Sequence, residues 1–238
     1  MADLGFTFSV KIFELTSSIS IMKMLAEQAE KNVQLALNAA DKPDAVEEGD
    51  FAEEVQDENG ENYVRTRTYY FCGACVGYDG EEVRLEYKSL ISDLTRRSAY
   101  LTIFGLFEHR ISDCLDLMTS LSGYTGELKC KGPIEKAHTI LTKGFGVRDL
   151  DDVDHLTMIR NIMSHNDGEA TEYQKTLCKT GRKNEFEKIL VKAIKRTEGV
   201  KVNIFNGLIV DERFLTYAVT EFSRYAAALE KAIQRNNR

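Results

Sequence analysis

Apolar residues recur at intervals of three and four over most of the chain, and that spacing predicts a mainly α protein. From Phe8 to Ala40, the residues Ile12, Leu15, Ile19, Met22, Ala26, Ala29, Val33, Ala36 and Ala40 form one continuous stripe, close to a heptad. A long helix is expected there, ending near Asp41-Lys42-Pro43. Such a helix packs into the core of its own domain, or it also packs on a second subunit; a stripe alone does not choose between them. A second long amphipathic helix is expected from Glu82 to Leu121, with Leu90, Leu94, Ile103, Phe104, Phe107, Ile111, Cys114, Leu115 and Met118 on its apolar face. Within it Glu108 and Arg110 stand amid apolar residues, either beside buried partners or on an exposed flank. A shorter helix runs from Pro133 to Lys143, with proline suited to its first turn. The next begins near Asp151-Asp152, buries Val153, Leu156, Ile159 and Met163, and stops between His165 and Gly168. Thr171 to Arg196 reads as mixed helix and loop, and a last helix spans Arg213 to Gln234.

The period changes in two places. In "VKVNIFNGLIVDE", Val200, Val202 and Ile204 alternate, and Asn206-Gly207 is a two-residue turn signal, so a β-hairpin is expected over 199–211. Tyr63 to Gly80 holds strand-like residues in "YVRTRTYYF" that fit a strand or an extension of the following helix. Its lone "CGAC", Cys72 to Cys75, reads as a packed pair of free thiols, because no second CxxC or HxxxH supplies further zinc ligands.

Charge alters this picture in one segment. Asp41 to Glu61 holds ten acids and one lysine, or −9, which leaves +2 for the rest of a chain whose net charge is −7. With few apolar groups to offset its ordering entropy, the segment is expected to be an acidic loop or linker; mimicry of a nucleic acid is the sharper alternative. The acidic average therefore does not argue against a nucleic-acid partner. Lys179, Arg182, Lys183, Lys192 and Lys195 make the stretch after the motif helix basic, either a track for an RNA backbone or a solvated face. Five cysteines give no even disulfide framework and suit a reducing cytoplasm. No apolar run is long enough for a bilayer, and "MADLGFTFSVKIFEL" lacks the features of a signal peptide.

The candidate chemistry lies in "MIRNIMSHNDGEA", Met158 to Ala170. On a helix Arg160 and His165 are ~140° apart around the axis, whereas Asn161 and His165 share one face, and Arg160 and Ser164 another. Both flanks serve one site only where the helix end borders a cleft, and two such helices across a dimer axis would make one. RNA carries its own nucleophile, the 2′-hydroxyl. Its cleavage needs a base, an acid and a cation for the phosphorane; histidine transfers protons near neutral pH, and arginine fits phosphate oxygens. The remaining histidines, His109, His138 and His155, carry no such motif.

Arg160, Asn161 and His165 fit R-x4-6-H with Asn after the arginine, and the chain resembles the HEPN superfamily in this motif, in "HNDG" after it and in the long helix with "LFEHRISDCL". The resemblance covers mainly Glu82 to Gly168 and points to the large bacterial branch. It implies an antiparallel α-helical bundle in a single domain over 1–238, with a long N-terminal helix and a small hairpin insertion. It also implies a homodimer through the motif helix and a metal-independent endoribonuclease, needing no cofactor, used as a toxin or in antiviral defence. Arg160 would bind the scissile phosphate, His165 would move protons, and Asn161 would orient the site near the imidazole. Glu108 would hold Arg160, and Ser164 is an adjacent polar candidate. RNA is the implied substrate, with an antitoxin or regulatory protein as a possible partner and no membrane. The alternatives are a HEPN-like nucleic-acid or nucleotide-binding module without turnover, and a helical scaffold built on the N-terminal stripe.

Overall fold

A computed structural model describes residues 9–56, 58–128, 132–148 and 150–236. The chain is mainly helical with two small antiparallel sheets. Seven α-helices occur among the described residues: α1 (Val10–Ala40), α2 (Gly80–Ser122), α3 (Pro133–Thr139), α4 (Asp154–His165), α5 (Tyr173–Cys178), α6 (Glu185–Arg196) and α7 (Phe214–Asn236). The strands are β1 (Glu47–Gln56), β2 (Asn62–Cys72), β3 (Cys75–Gly77), β4 (Val200–Val202) and β5 (Leu208–Val210). The first helix begins at Val10; Phe8 lies outside the described residues. No helix of the described residues is long and apolar enough to cross a membrane.

Contacts divide the chain, expected as one domain, into two compact units: Met1–Gln28 with Arg97–Arg238, and Ala29–Arg96. In the larger unit the apolar spacing of each helix becomes a buried face. On α2 this face is Tyr100, Ile103, Phe104, Phe107, Ile111, Cys114 and Met118; on α7 it is Phe214, Leu215, Ala218, Phe222, Tyr225 and Leu229. The two faces meet through aromatic rings: Phe107 stacks on Phe222 at 4.1 Å between centroids, and Phe214 lies 4.6 Å from Tyr100. Arg110 is one of the charges anticipated amid apolar residues. It donates to Ser18 Oγ (3.1 Å) and pairs with Glu14 and Asp113, tying α2 to α1. Helix α3 starts at Pro133 as expected and passes into a single π-helical stretch, Ile140–Gly144.

The smaller unit corrects the reading of the acidic segment. Asp41 to Glu61 is not a loop throughout: Glu47–Gln56 is strand β1, antiparallel to β2 along its whole length. Its partner strand is basic, and Glu53 pairs with Arg67 at 2.6 Å while Asp50 accepts from Thr68 at 2.8 Å. Gly49, Phe51, Glu53 and Val55 form the half-buried face, at the period of two expected of a strand. Gly49 faces Tyr69, and a Cβ there would stand 2.8 Å from the tyrosine ring, so glycine lets that ring cross the strand. Tyr63 to Gly80 resolves as strand, not helix: β2, a tight turn, and β3. Cys72 and Cys75 face one another across that turn as buried free thiols, packed with Val83. Leu90 and Leu94, expected on an apolar face, are exposed; Arg96 is buried instead, its fork on Glu30 at 2.9 and 2.8 Å.

Candidate functional site

Helix α4 carries the motif. Val153, Leu156, Ile159, Ile162 and Met163 are buried, which fixes its rotation and turns Arg160 onto a flank facing α2. Tyr100 reinforces that placement by donating its buried hydroxyl to the Leu156 carbonyl at 2.6 Å. Burial holds the Tyr100 phenol well above the ordinary tyrosine range, so it stays a neutral donor.

Arg160 is held from three sides. Its Nη2 lies 3.2 Å from both carboxylate oxygens of Glu108, Nη1 donates to Asn161 Oδ1 at 2.9 Å, and the guanidinium carbon sits 4.9 Å from the centroid of the Phe104 ring. An ion pair, a local amide and a ring face therefore immobilise a planar cation that is about one-quarter exposed. The sequence-predicted pairing of Glu108 with Arg160 is present. Asn161 differs from expectation: its carbonyl oxygen turns to Arg160, the preceding residue.

His165 is the last residue of α4 and is exposed, as is Ser164. The backbone beyond it turns sharply, with Asp167 at φ 49° and Gly168 at φ 81°. Their left-handed conformation ends the helix, and the Asn166 and Gly168 amides both return to the Ile162 carbonyl, at 3.2 and 3.1 Å. Arg97 of α2 clamps this end: it donates to the Met163 carbonyl and pairs with Asp167 at 2.9 Å. The motif did not include Arg97; an arginine one helix away from a helix C-terminus has no local spacing signal. The hairpin adds a second support. It was expected to turn on Asn206-Gly207 alone, but the ladder runs out to Asn203 and Gly207 and leaves a three-residue loop with Asn206 at φ 64°. Ala170 donates to the Asn206 carbonyl and Leu208 to the Gly168 carbonyl, both at 2.8 Å, so β5 begins against the segment that follows His165.

The basic stretch is brought together only in part. Lys179 is occupied by Glu187 at 2.8 and 2.9 Å, and Lys183 donates to the Lys179 carbonyl. Glu187 also completes a capping box with Asn184 at the start of α6, and the hydrogen bond from Lys179 lowers its carboxyl pKa below the usual glutamate range. Arg182, Lys192 and Lys195 are exposed. Lys179 and Lys183 thus serve the α5–α6 connection, and three of the five cations face solvent.

A second polar cluster occupies the opposite end of α4, where no motif had pointed. His155 is buried, its Nε2 2.9 Å from Tyr217 Oη, and Tyr217 donates to the Arg196 carbonyl at 3.2 Å. With that hydroxyl proton committed, the histidine must be the Nε2–H tautomer, which leaves Nδ1 without a partner. Burial, and then the Arg196 charge, push the imidazole pKa down to about 4. Arg196 in turn holds Asp152 at 2.8 Å, and Arg224 holds Glu221 at 2.9 Å. No group of three or more His, Cys, Asp or Glu among the described residues is placed to hold a metal ion.

No family profile, curated protein or solved structure matches the chain.

Proposed function

We propose that the chain is a metal-independent endoribonuclease of HEPN type that acts as a dimer through α4, as a cytoplasmic toxin or antiviral-defence effector restrained by an antitoxin or regulatory partner. The observation that carries this reading is the end of α4: a guanidinium fixed by Glu108, Asn161 and Phe104, with an exposed histidine five residues on.

The chemistry follows from what two copies bring together. His165 of one chain accepts the proton of a 2′-hydroxyl as the 2′-oxygen forms its bond to phosphorus. The bond from phosphorus to the 5′-oxygen breaks, and His165 of the partner subunit gives that oxygen a proton. The products are a 2′,3′-cyclic phosphate and a free 5′-hydroxyl. Arg160 balances the extra charge of the phosphorane; a cation already oriented before substrate arrives loses little freedom in doing so. Glu108 and Asn161 are positioning residues in this scheme, acting through Arg160.

One observation favours a second reading. Both oxygens of Glu108 already neutralise Arg160. On that basis the helix end is a nucleic-acid or nucleotide-binding module, with Arg160 as a strut and RNA bound without turnover. Expression in a bacterial host separates the two. The ribonuclease reading expects growth arrest that disappears with either Arg160→Ala or His165→Ala, each variant accumulating as folded protein. The binding reading expects no arrest from the unaltered chain.

A further inference from the structure

The tip of the β4–β5 hairpin presents two large apolar side chains to solvent. Ile204 and Phe205 are 80% and 78% exposed, more than any other large apolar residue among the described residues. A slack loop would let them fold back onto the protein, but this one is braced. Asn203 Oδ1 accepts from the amides of Phe205 and Gly207 at 2.9 and 2.8 Å, and the Asn206 amide returns to the Asn203 carbonyl at 3.1 Å. Gln174 of α5 holds the loop from outside: its amide donates to Asn206 Oδ1 at 2.9 Å, and its Nε2 to the Asn203 carbonyl at 2.8 Å. Both asparagine side chains thus fix the shape of the loop, and the exposed ring stands on a defined backbone.

The position of the tip and its chemistry point to one occupant. The residue after Phe205, Asn206, accepts from the Ala170 amide, and Leu208 donates to the Gly168 carbonyl. Gly168 is three residues from His165, no more than about 11 Å along the chain. The tip therefore stands beside the exposed end of α4. Asn203 to Gly207 carries no charge, and the nearest charges in the ladder, Lys201 on β4 and Glu169 bridged to Gly207, offset one another. What the tip offers a ligand is area rather than a field. That area is on the order of 300 Å² for the two side chains, well short of the ~800 Å² per partner of a specific protein interface. It suits the flat face of a nucleobase, which stacks on an aromatic ring whatever its identity.

We infer that Phe205, with Ile204 next to it, is a stacking platform for an unpaired nucleobase of an RNA held at the end of α4. The inference rests on the reading of that helix end as an RNA site, with or without turnover.

Binding of a short 2′-O-methyl oligoribonucleotide containing 2-aminopurine tests it, because this probe has no 2′-hydroxyl and is not consumed by cleavage. The wild type is expected to bind it and to quench the fluorescence of the stacked 2-aminopurine. Phe205→Ala is expected to weaken binding by roughly fivefold to a hundredfold, to lose the quenching, and to leave the salt dependence unchanged, since no phosphate contact is removed. Phe205→Trp is expected to retain affinity and quenching. Phe205→Leu, apolar but not flat, is expected to behave as the alanine variant does. The side chain is exposed, so unchanged melting accompanies all three. A probe bound by the wild type and by Phe205→Ala with equal affinity would overturn the inference alone and leave the tip to a pocket on a partner protein. Wild-type affinity in Phe205→Leu would also overturn it, since stacking needs the ring. A wild type that does not bind the probe would overturn this inference and both RNA readings together. Phe205-dependent binding in a chain that cleaves no RNA would support the platform and remove only the ribonuclease.

Discussion

Two histidines ten residues apart on α4 have opposite surroundings. His155 is buried and hydrogen-bonded to Tyr217, and it is held neutral by desolvation with a pKa near 4. His165 is at the far end of the helix, in solvent, five residues on from an arginine that is already immobilised. The helix thus separates two uses of one side chain. At its start the imidazole is a packing element whose charging is resisted. At its end the imidazole stands in solvent, and the proposed function gives it the proton transfers. The proposed function assigns chemistry only to the second, since a proton-transfer group must reach its substrate and a buried neutral histidine cannot.

The contrast can be broken most strongly at the cation. Arg160→Ala is expected to lower RNA cleavage by ~10²- to 10³-fold, the range for removing one electrostatic contact to a charged transition state. Arg160→Lys keeps the charge but loses the fork, and is expected to recover only part of that rate. Single-turnover cleavage of a labelled RNA reads both. An Arg160→Ala rate equal to wild type would return the arginine to a purely structural role.

The next effect lies at the opposite end and appears in stability. The folded-state pKa of His155 is depressed below the unfolded value of about 6.5. The unfolded chain therefore takes up a proton that the folded chain refuses, and stability is lost as pH falls from about 6.5 towards about 4. The full loss is on the order of 3 kcal/mol. Urea unfolding at pH 7.5 and pH 5 is expected to show a smaller pH dependence in His155→Leu than in wild type. Equal dependence in both would mean that the histidine is not held neutral.

A smaller effect is expected from the clamp. Arg97→Ala frees the Met163 carbonyl and Asp167 and is expected to destabilise by about 1–2 kcal/mol, with a loss of activity that follows the disorder of His165. Thermal melting and cleavage assays together check it. Least of all, the charge reversals Arg182→Glu, Lys192→Glu and Lys195→Glu are expected to leave stability within about 0.5 kcal/mol and, where these side chains track a phosphate backbone, to flatten the salt dependence of RNA binding by roughly one unit of slope for each cation removed from a phosphate. An unchanged slope makes them a solvated face.

How much of this was legible in the chain depends on where the cause of each feature lies. Helices α2, α4 and α7 were readable because their apolar spacing is local and their burial is one-sided. The pairing of Glu108 with Arg160 was anticipated through the family resemblance alone, because the residue pattern left Glu108 open between a buried partner and an exposed flank. Strand β1 was missed because net charge overrode periodicity. Gly49, Phe51, Glu53 and Val55 alternate as a strand should, but nine excess negative charges over Asp41 to Glu61 suggested solvation, and the compensating Arg65 and Arg67 sit on the next strand. Arg97, Tyr217 and Arg196 were out of reach for a different reason. Each acts on a backbone carbonyl or a ring far away in sequence, and no spacing records such a pairing.

The central claim is that the exposed end of α4 transfers protons during RNA cleavage. Its most direct test is the cleavage of one end-labelled RNA, in EDTA, by wild type and by His165→Ala side by side. The account predicts fragments ending in a 2′,3′-cyclic phosphate from the wild type, and a rate ~10²- to 10⁴-fold lower from a variant that melts at the same temperature. Equal cleavage by both proteins, or none by the wild type, would contradict it.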